Sequence, residues 1–474
     1  MSTFSTLEIG KRALQASNFA LDITSNNIAN AETIGYSRRE LRVSEGLPFP
    51  KFGFKIGTGV DVESLRSFRQ QYLDREIRKA NGQYNFHNAN VLFYNSVETI
   101  FREPSDLNIG EMLNKFLYYF DELALQPESV GLRQYLLSTA NTMCQRLNDT
   151  ATDLFEMRRQ ANIDLVNQVD EANKSLQIIA ECNKAIAISK DPSGNDCLTF
   201  IDKREVAIEE LSKLGNVTVS YEPNGLCNVF MNGIDLVTGA SVQTLKVIGD
   251  TNQTTGSNTL RVVTYNERKD LIIDVNPPLG KMGAALKQFN VMLNPVATGN
   301  FSIMQTLDKF ANTIAEKVNE LFATGYGLND DVTGRVLFES NNGDPITAGN
   351  IKVAIFDPED IPLSANPNAP GGSEIAQQVS RLLQNQKFLD NQTPMEFYSN
   401  FIGRISQNAN EAVNMKKSFT MVLDSLNSHR DSIMGVNMEE EAINIIKYQK
   451  NLEAASKIIS TNNSVLGTII NLGR

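Results

Sequence analysis

The sequence predicts a mainly α fold, an elongated multi-helix rod with terminal coiled-coil helices and a small inserted β domain. Both ends of the 474-residue chain, 1–30 and 436–472, carry apolar residues at coiled-coil spacing. Helical periodicity fills much of the chain between them. Near Val217 the apolar period changes from 3.6 to 2 residues, which indicates strands inserted among the helices.

The C-terminal helix is predicted from an apolar seam that steps alternately by three and four residues. Asn437 is placed to cap this helix, and the helix dipole accounts for the acids Glu439–Glu441 in its first turn. One polar seam residue, Asn462, is expected to fix the register of the pairing. The predicted seam consists of Ile445, Tyr448, Leu452, Ala455, Ile459, Asn462, Leu466 and Ile469.

The N-terminal helix carries two apolar rows. Leu7, Leu14, Leu21 and Ile28 lie seven residues apart, and a second row of smaller residues runs beside them. Together the rows cover about half the helix circumference, more than a two-stranded coiled coil needs. We therefore expect more than one neighbour, although an ordinary amphipathic core helix has the same periodicity. Each terminal helix is expected to pair with the other end of the chain or with another copy.

The segment between the first helix and residue 214 is predicted to be mostly helical. A polar turn at 26–36 and an extended or irregular piece at 37–54 come first. Gly and Pro clusters then divide the helical patterns. The predicted helices are Glu63–Phe101, stopped near Pro104, then Leu132–Ser189, ended by Asp191–Asn195, and Thr199–Leu214.

The segment 215–282 is predicted to be a small inserted β domain, because two Asn-Gly turns at 224–225 and 232–233 separate alternating apolar residues. Helices resume after it, interrupted by a loop-rich excursion at 324–372. These boundaries give a terminal assembly domain (1–47 and 431–474), a helical rod domain (48–214 and 283–430) and the β domain. The later strands and helices are predicted at Gln243–Ile248, Thr259–Tyr265, Leu271–Val275, Met282–Leu293, Met304–Phe322, Ser373–Leu383 and Pro394–Arg430.

Composition excludes several classes of protein. The net charge of −11 argues against nucleic-acid binding. The densest basic run, 66–79, alternates with acids and is typical of a solvated helix face. The sequence contains no stretch of eighteen apolar residues, so we expect no membrane insertion. We also expect no cleavable signal peptide. Four scattered cysteines at 144, 182, 197 and 227 are expected to be small buried residues without disulfides.

Catalytic residues are not evident. His87 and His429 are the only histidines, and neither lies in a metal-binding or triad pattern. The segment Asn329–Gly334 is similar to a calcium loop, but Ser340 occupies the position of the bidentate acid. We therefore expect no enzyme activity, no metal and no cofactor.

The turn after the first helix contains the most specific motif in the chain. The run from Ser25 to Arg38 resembles the N-terminal signature of bacterial flagellar axial proteins, and its Tyr-Ser-Arg continuation resembles the hook-associated members. Residues 435–459 resemble the matching C-terminal signature. The sequence departs from the pattern at Glu32, Ile34 and Arg39. The matching signature residues are Asn27, Ala29, Asn30, Thr33, Gly35, Tyr36, Ser37 and Arg38.

The resemblance implies a secreted structural protein of the hook–filament junction that adapts the hook to the filament. It implies self-association into a ring through paired terminal helices, and contacts with the hook protein and the second junction protein. It also implies export by a flagellar chaperone and the type III export apparatus. Other axial proteins (hook, distal rod or second junction protein) and a secreted coiled-coil adhesin remain as alternatives.

Overall fold

The structure, a computed structural model, describes residues 2–51, 54–101, 108–188, 197–251, 258–266, 271–296 and 301–472. The predicted helix breaks at Pro104 and Asp191–Asn195 lie outside the described residues. The expectation of a mainly α fold is confirmed. The described helices are α1 (Ser2–Ala29), α2 (Gln71–Phe101), α3 (Ile109–Leu125), α4 (Val130–Ile188), α5 (Leu198–Leu214), α6 (Gly280–Lys287), α7 (Ile303–Phe322), α8 (Glu374–Asn385), α9 (Pro394–Met434) and α10 (Met438–Leu472).

Small antiparallel sheets lie between the helices. Strand β1 pairs with β4, β2 with β3, and β12 with β13, while longer sheets have the orders β5-β6-β7-β8 and β11-β10-β9. The strands are β1 (Arg39–Glu45), β2 (Phe49–Lys51), β3 (Phe54–Ile56), β4 (Val60–Ser67), β5 (Val217–Tyr221), β6 (Cys227–Met231), β7 (Ile234–Thr238), β8 (Ser241–Val242), β9 (Leu245–Thr251), β10 (Asn258–Asn266), β11 (Leu271–Asp274), β12 (Phe338–Ser340) and β13 (Ile351–Val353).

The chain divides into two compact units. Unit 1 comprises Met1–Gly82, Glu171–Thr244 and Phe419–Arg474, and unit 2 comprises Gln83–Asp170 and Leu245–Ser418. Both chain ends therefore belong to the same unit, although some four hundred residues separate them in sequence.

None of the described helices combines the length and apolar character that crossing a membrane requires.

The β segment at 215–282 differs from the expected single domain, because its strands form two sheets in different units. Asn183 on α4 donates to the carbonyl oxygens of Cys227 and Gly239 at 2.7 Å each, which holds the first sheet in unit 1. Asn290 exchanges two hydrogen bonds with the backbone of Leu260, which holds the second sheet in unit 2. An amide side chain thus ties each sheet to another segment of its own unit, and strand periodicity contains no information about such a tie.

The prediction that helix begins near Glu63 is wrong. Residues 60–67 form β4, which pairs along β1 with a register shift between Arg42 and Val43, and α2 begins only at Gln71. The apolar residues of 60–67 fit either period over so short a window, and pairing with a distant strand decides between them. The basic run is also misassigned, because Arg69 precedes the helix and Arg78 is buried.

Unit 2 has an aromatic core. The rings of Phe116 and Phe120 on α3 meet edge to face at 4.9 Å, and Phe120 approaches Phe322 of α7. All three side chains are fully buried. The helix α3 therefore presents one strongly apolar face to the core, while Tyr118 between these residues is exposed.

We expect Phe120→Ala to lower the free energy of unfolding of unit 2 by about 3–5 kcal/mol, because it leaves a cavity among aromatic rings. Tyr118→Ala on the same helix is the matched control and should change it by less than about 0.5 kcal/mol. Denaturant unfolding of both variants measures the difference. Equal effects of the two substitutions would contradict this assignment of the core.

Candidate assembly interface

Helices α1 and α10 pack along each other in unit 1. Small side chains of α1 make the approach close: Gly10, Ala16 and Ala20 are buried. A Cβ atom at Gly10 would lie 3.0 Å from Cγ1 of Ile459, so even an alanine there would require a shift. The two chain ends are therefore partners of each other within a single copy.

The predicted seam of α10 faces this contact. Ala455 and Asn462 are buried, whereas Ile469 is 53 % exposed, and the other five members are half-buried. On α1, Leu7, Leu14, Leu21 and Ile28 are half-buried, whereas Ala16 and Ala20 of the second row are buried. The seven-residue leucine row therefore flanks the α1–α10 contact instead of forming its centre.

The wide apolar arc of α1 has a second neighbour, the hairpin of β1 and β4. Leu41, Val43 and Val60 of the hairpin line a cavity with Ala13 and Ala16 of α1. Arg12 also pairs with Asp61 of β4 at 2.5 Å. The expectation that α1 has more than one neighbour is confirmed.

Asn27 joins the signature turn to the C-terminal helix. Its side chain is 1 % exposed and forms four hydrogen bonds. The amide nitrogen donates to Oε2 of Glu441 and to the Arg39 carbonyl, at 3.2 and 2.9 Å. The amide oxygen accepts from the Tyr36 hydroxyl and the Arg39 N–H, at 2.7 and 3.1 Å. Both donors and the acceptor of this buried amide are thus satisfied.

Arg38 forms the second link between the two ends. Its Nε donates to Oε1 of Glu441 at 2.9 Å, and its terminal nitrogens donate to both carboxylate oxygens of Glu440. The Arg38 N–H also donates to the carbonyl of Met434, the last residue of α9. A fork of this kind fixes direction as well as distance. We call Asn27, Tyr36, Arg38, Glu440 and Glu441 the terminal latch.

The rest of the signature turn packs on α5. Gly35 has φ of +79°, and a Cβ atom there would collide with Val206. The Ser37 hydroxyl donates to Asp202 at 3.3 Å, and Arg39 pairs with the same carboxylate at 2.9 Å. Glycine is therefore required here for both its conformation and its lack of a side chain.

The remaining signature residues stabilise the turn itself or are exposed. Asn30 donates to the carbonyl of Asn26 at 2.9 Å, and the Thr33 hydroxyl donates to Asn30 at 3.2 Å. Ala29 is exposed, and Ile34, where the family pattern has proline, is also exposed.

Buried charges surround the latch. Arg69 pairs with Asp74 at 3.2 Å and approaches Asp202 at 3.7 Å. Burial raises the pKa of Asp202 and of Asp74 above the ordinary aspartate value, although their arginine partners act in the opposite direction. Desolvation of these carboxylates thus outweighs the pairing.

Sequence reasoning missed the partners of the signature. The sequence pattern attributes Glu441 to the helix dipole, yet this residue is 1 % exposed and bonded to both Asn27 and Arg38. The predicted cap is confirmed, because Asn437 Oδ1 accepts from the N–H groups of Glu439 and Glu440. Helical periodicity accounts for one buried Glu next to two solvated ones. It does not identify the partner of that Glu, Arg38, which lies 403 residues away in sequence.

An apolar surface of α10 stays open beside the latch. Two adjoining cavities of about 340 and 580 Å³ share Ala454 and Ile458. Exposed Val465 and Ile469 continue the same face toward the end of the helix. We call Ala454, Ile458, Val465 and Ile469 the open stripe.

Known proteins share this combination of signature turn and helical body. The sequence model of the flagellar hook-associated protein FlgK helical domain matches residues 94–338, and models of the flagella basal body rod protein and the flagellar basal body rod FlgEFG protein C-terminal match residues 7–36 and 430–472. The chain belongs to the flagellar hook-associated protein FlgK family. It is therefore a component of the bacterial flagellum.

Curated relatives agree with the family match. Flagellar hook-associated protein 1 of Bacillus subtilis (strain 168) is 22 % identical, with 99 % of this chain and 98 % of that protein aligned. The protein of the same name from Escherichia coli (strain K12) is 21 % identical over 97 % and 98 % of the two chains. The structure of the flagellar hook junction protein FlgK from Burkholderia pseudomallei has a TM-score of 0.61 at 14 % identity and covers 77 % of this chain and all of its own.

Metal chemistry has no evident place in the part of the chain that the structure describes. No group of three or more His, Cys, Asp or Glu side chains there is arranged to hold a metal ion. Asp330 of the calcium-like loop pairs with Arg335 at 2.5 Å, and hydrogen bonding from Arg335 lowers the pKa of Asp330. All four cysteines are buried and free, as predicted.

We expect Asn27→Ala to destabilise the packing of the signature turn by about 2–4 kcal/mol, because it leaves Glu441 and the Arg39 backbone without their buried partner. Asn18→Ala, at an exposed position of the same helix, is the control and should have little effect. Hydrogen exchange of segment 27–45 measures the loss. Unchanged protection in Asn27→Ala would contradict the role of the latch.

Asp202 also predicts a pH dependence. Because its pKa is raised in the folded protein, folding favours its protonated form, and its contribution to stability grows as pH falls toward the unfolded value of about 3.9. Asp202→Asn removes this titration. Between pH 7 and about pH 4, the free energy of unfolding of the wild type should therefore rise relative to that of Asp202→Asn. Denaturant unfolding at each pH measures this difference, and the exposed Asp22→Asn is the control. If ion pairing dominated, the free energy of unfolding of the wild type would instead fall relative to that of Asp202→Asn as pH decreases.

Proposed function

We propose that this protein is a structural component of the hook–filament junction and polymerises there through its paired terminal helices. The observation that supports the proposal is the combination of the terminal latch with the open stripe. The latch fixes the two chain ends against one another within a copy. The open stripe then leaves an apolar face of α10 for neighbouring copies.

The energetics favour assembly through the ends. Helix α10 has 35 residues and extends ~52 Å at 1.5 Å per residue. Some of its large apolar side chains, such as Ile443 and Ile446, are solvated in the single copy. Burying each one fully contributes roughly 1.5–3 kcal/mol, which favours covering this face by a neighbouring copy.

The expected partners follow from the family. We propose self-association into a ring, with the hook protein on one side and the second junction protein on the other. We propose export by the type III apparatus with a dedicated chaperone, and an extracellular position at the distal end of the hook. In this role the chain has no catalytic activity and needs no cofactor.

The open stripe can be tested by a charge placed within it. Ile469→Asp should leave the fold and export intact but prevent assembly on hooks, because it puts a carboxylate into an apolar contact. Ser460→Asp, also on the exposed surface of α10 but outside the stripe, is the matched control. Motility and electron microscopy of a complemented deletion strain measure the outcome. Normal filaments in Ile469→Asp would contradict assembly through this stripe.

Truncation tests the role of the whole C-terminal helix. A chain that lacks 437–474 should be exported but should not assemble on hooks, so that filament protein is shed into the medium. When hook–basal bodies that carry the full chain are isolated and immunolabelled for it, the label should form a narrow band at the distal hook end. Labelling along the entire hook, or along the rod, would instead favour another axial protein.

A further inference from the structure

One end of unit 2 exposes apolar side chains beside carboxylates. Phe356 is 88 % exposed, although Ile355 before it and Ile361 after it are buried. The turn between α3 and α4 lies next to this segment and contributes more exposed residues. We name this surface the acidic end patch, and it consists of Leu125, Glu128, Val130, Phe356, Asp357 and Glu359.

A buried arginine holds the patch in shape. Arg133 is 1 % exposed and donates to the carbonyl oxygens of Pro127 and Ile361, at 2.8 Å each. It forms no ion pair within the described residues, and burial lowers its pKa to about 10. Asp357 caps the short 3₁₀ turn Pro358–Asp360 by accepting from the Glu359 N–H. Arg133 therefore ties the segment that follows Phe356 to the turn between α3 and α4.

A groove elsewhere in unit 2 complements the patch. It has a volume of about 910 Å³ and is lined by Phe301, Phe397 and Phe401 among polar residues. Arg404 lies over the Phe301 ring at 4.2 Å, is exposed, and forms no ion pair in the described ranges. We call this the aromatic groove.

The other charges of the aromatic groove are already paired or buried. Lys309 pairs with Asp390 at 2.5 Å. Asp308 accepts from the Ala348 N–H, and burial raises the pKa of its carboxyl group. Arg404 is therefore the charge that is open to an incoming group, and its sign is opposite to that of the acidic end patch.

The patch and the groove lie at opposite ends of α7. The groove is lined by residues between Ser302 and Asn312, at the start of that helix. The backbone of Glu359 in the patch is bonded to Leu328, beyond the helix end at Phe322. Ten residues from Asn312 to Phe322 span ~15 Å, so the patch and the groove are separate surfaces of one copy.

We propose that Phe356 of one copy docks into the aromatic groove of a neighbouring copy, with the exposed carboxylates of the acidic end patch facing Arg404. The occupant is a second copy because both surfaces belong to the same unit and Arg404 of the groove is opposite in charge to the carboxylates of the patch. Two different surfaces meet, so the contact is heterologous, which is the kind that generates rings. This proposal rests on the proposed function, because assembly through the ends would bring the copies together.

The contact is expected to be weak by itself. One aromatic anchor with a few carboxylates is a smaller surface than standard protein interfaces bury. Copies already held by their terminal helices meet at high effective concentration, which makes such a contact significant. The test must therefore be made on protein assembled on hooks.

Chemical cross-linking tests the contact. Glu359→Cys and Asn400→Cys place one thiol beside Phe356 and one in the aromatic groove, and the four natural cysteines are buried. A short bis-maleimide on isolated hooks should give a ladder of cross-linked copies with the double variant and none with either single variant. Adding Phe356→Ser should reduce the ladder about tenfold, because it removes the apolar anchor. Phe356→Leu keeps an apolar side chain at this position and should retain the ladder.

A charge exchange provides an independent check. Arg404→Glu should reduce the ladder, and combining it with a second reversal at the exposed patch carboxylate Glu128, Glu128→Lys, should restore part of it. If the protein with both Glu359→Cys and Asn400→Cys is present on hooks but gives no ladder, the docking contact is overturned and the proposed function stands. If the unmodified chain does not assemble on hooks at all, the proposed function fails and the docking contact is rejected with it.

Discussion

The hydrogen bonds between Asn27, Arg38 and Glu441 decide how the two ends of this chain are combined. Glu441 is almost fully buried, and it would be an unpaired buried charge without both partners. Removing one partner from such a site typically costs about 3–5 kcal/mol, far more than an exposed ion pair contributes. These bonds therefore hold the exit of α1 against the entry of α10.

Close packing of α1 on α10 follows from that arrangement. Small residues on α1 let the helices approach, and Gly10 shows how little space remains. Large apolar residues are then left on the outer face of α10, where they do not help the single copy. This division of small inner and large outer side chains is what a subunit needs if its own ends must be ordered before neighbours arrive.

Unit 2 uses a different principle. Its aromatic core is independent of the chain ends, and buried polar groups such as Arg133 and Asn290 position loops and strands around it. Those groups are expensive to bury and are satisfied by backbone carbonyl and N–H groups. They produce rigid surface features, including the acidic end patch, that a purely apolar core would not specify.

The sequence alone determined the helices, because apolar periodicity and capping are local properties: the ends of α4, α7 and α10 lie within a few residues of the prediction. It also contained the signature that placed the chain among flagellar axial proteins, and Asn462 was recognised as a buried seam residue. Only the tertiary structure decided which buried charges meet, since Arg38 and Glu441 are 403 positions apart. It likewise decided that 60–67 is a strand and that the β segment is split between two units. In each case the deciding interaction joins residues far apart in sequence, and local patterns contain no information about such partners.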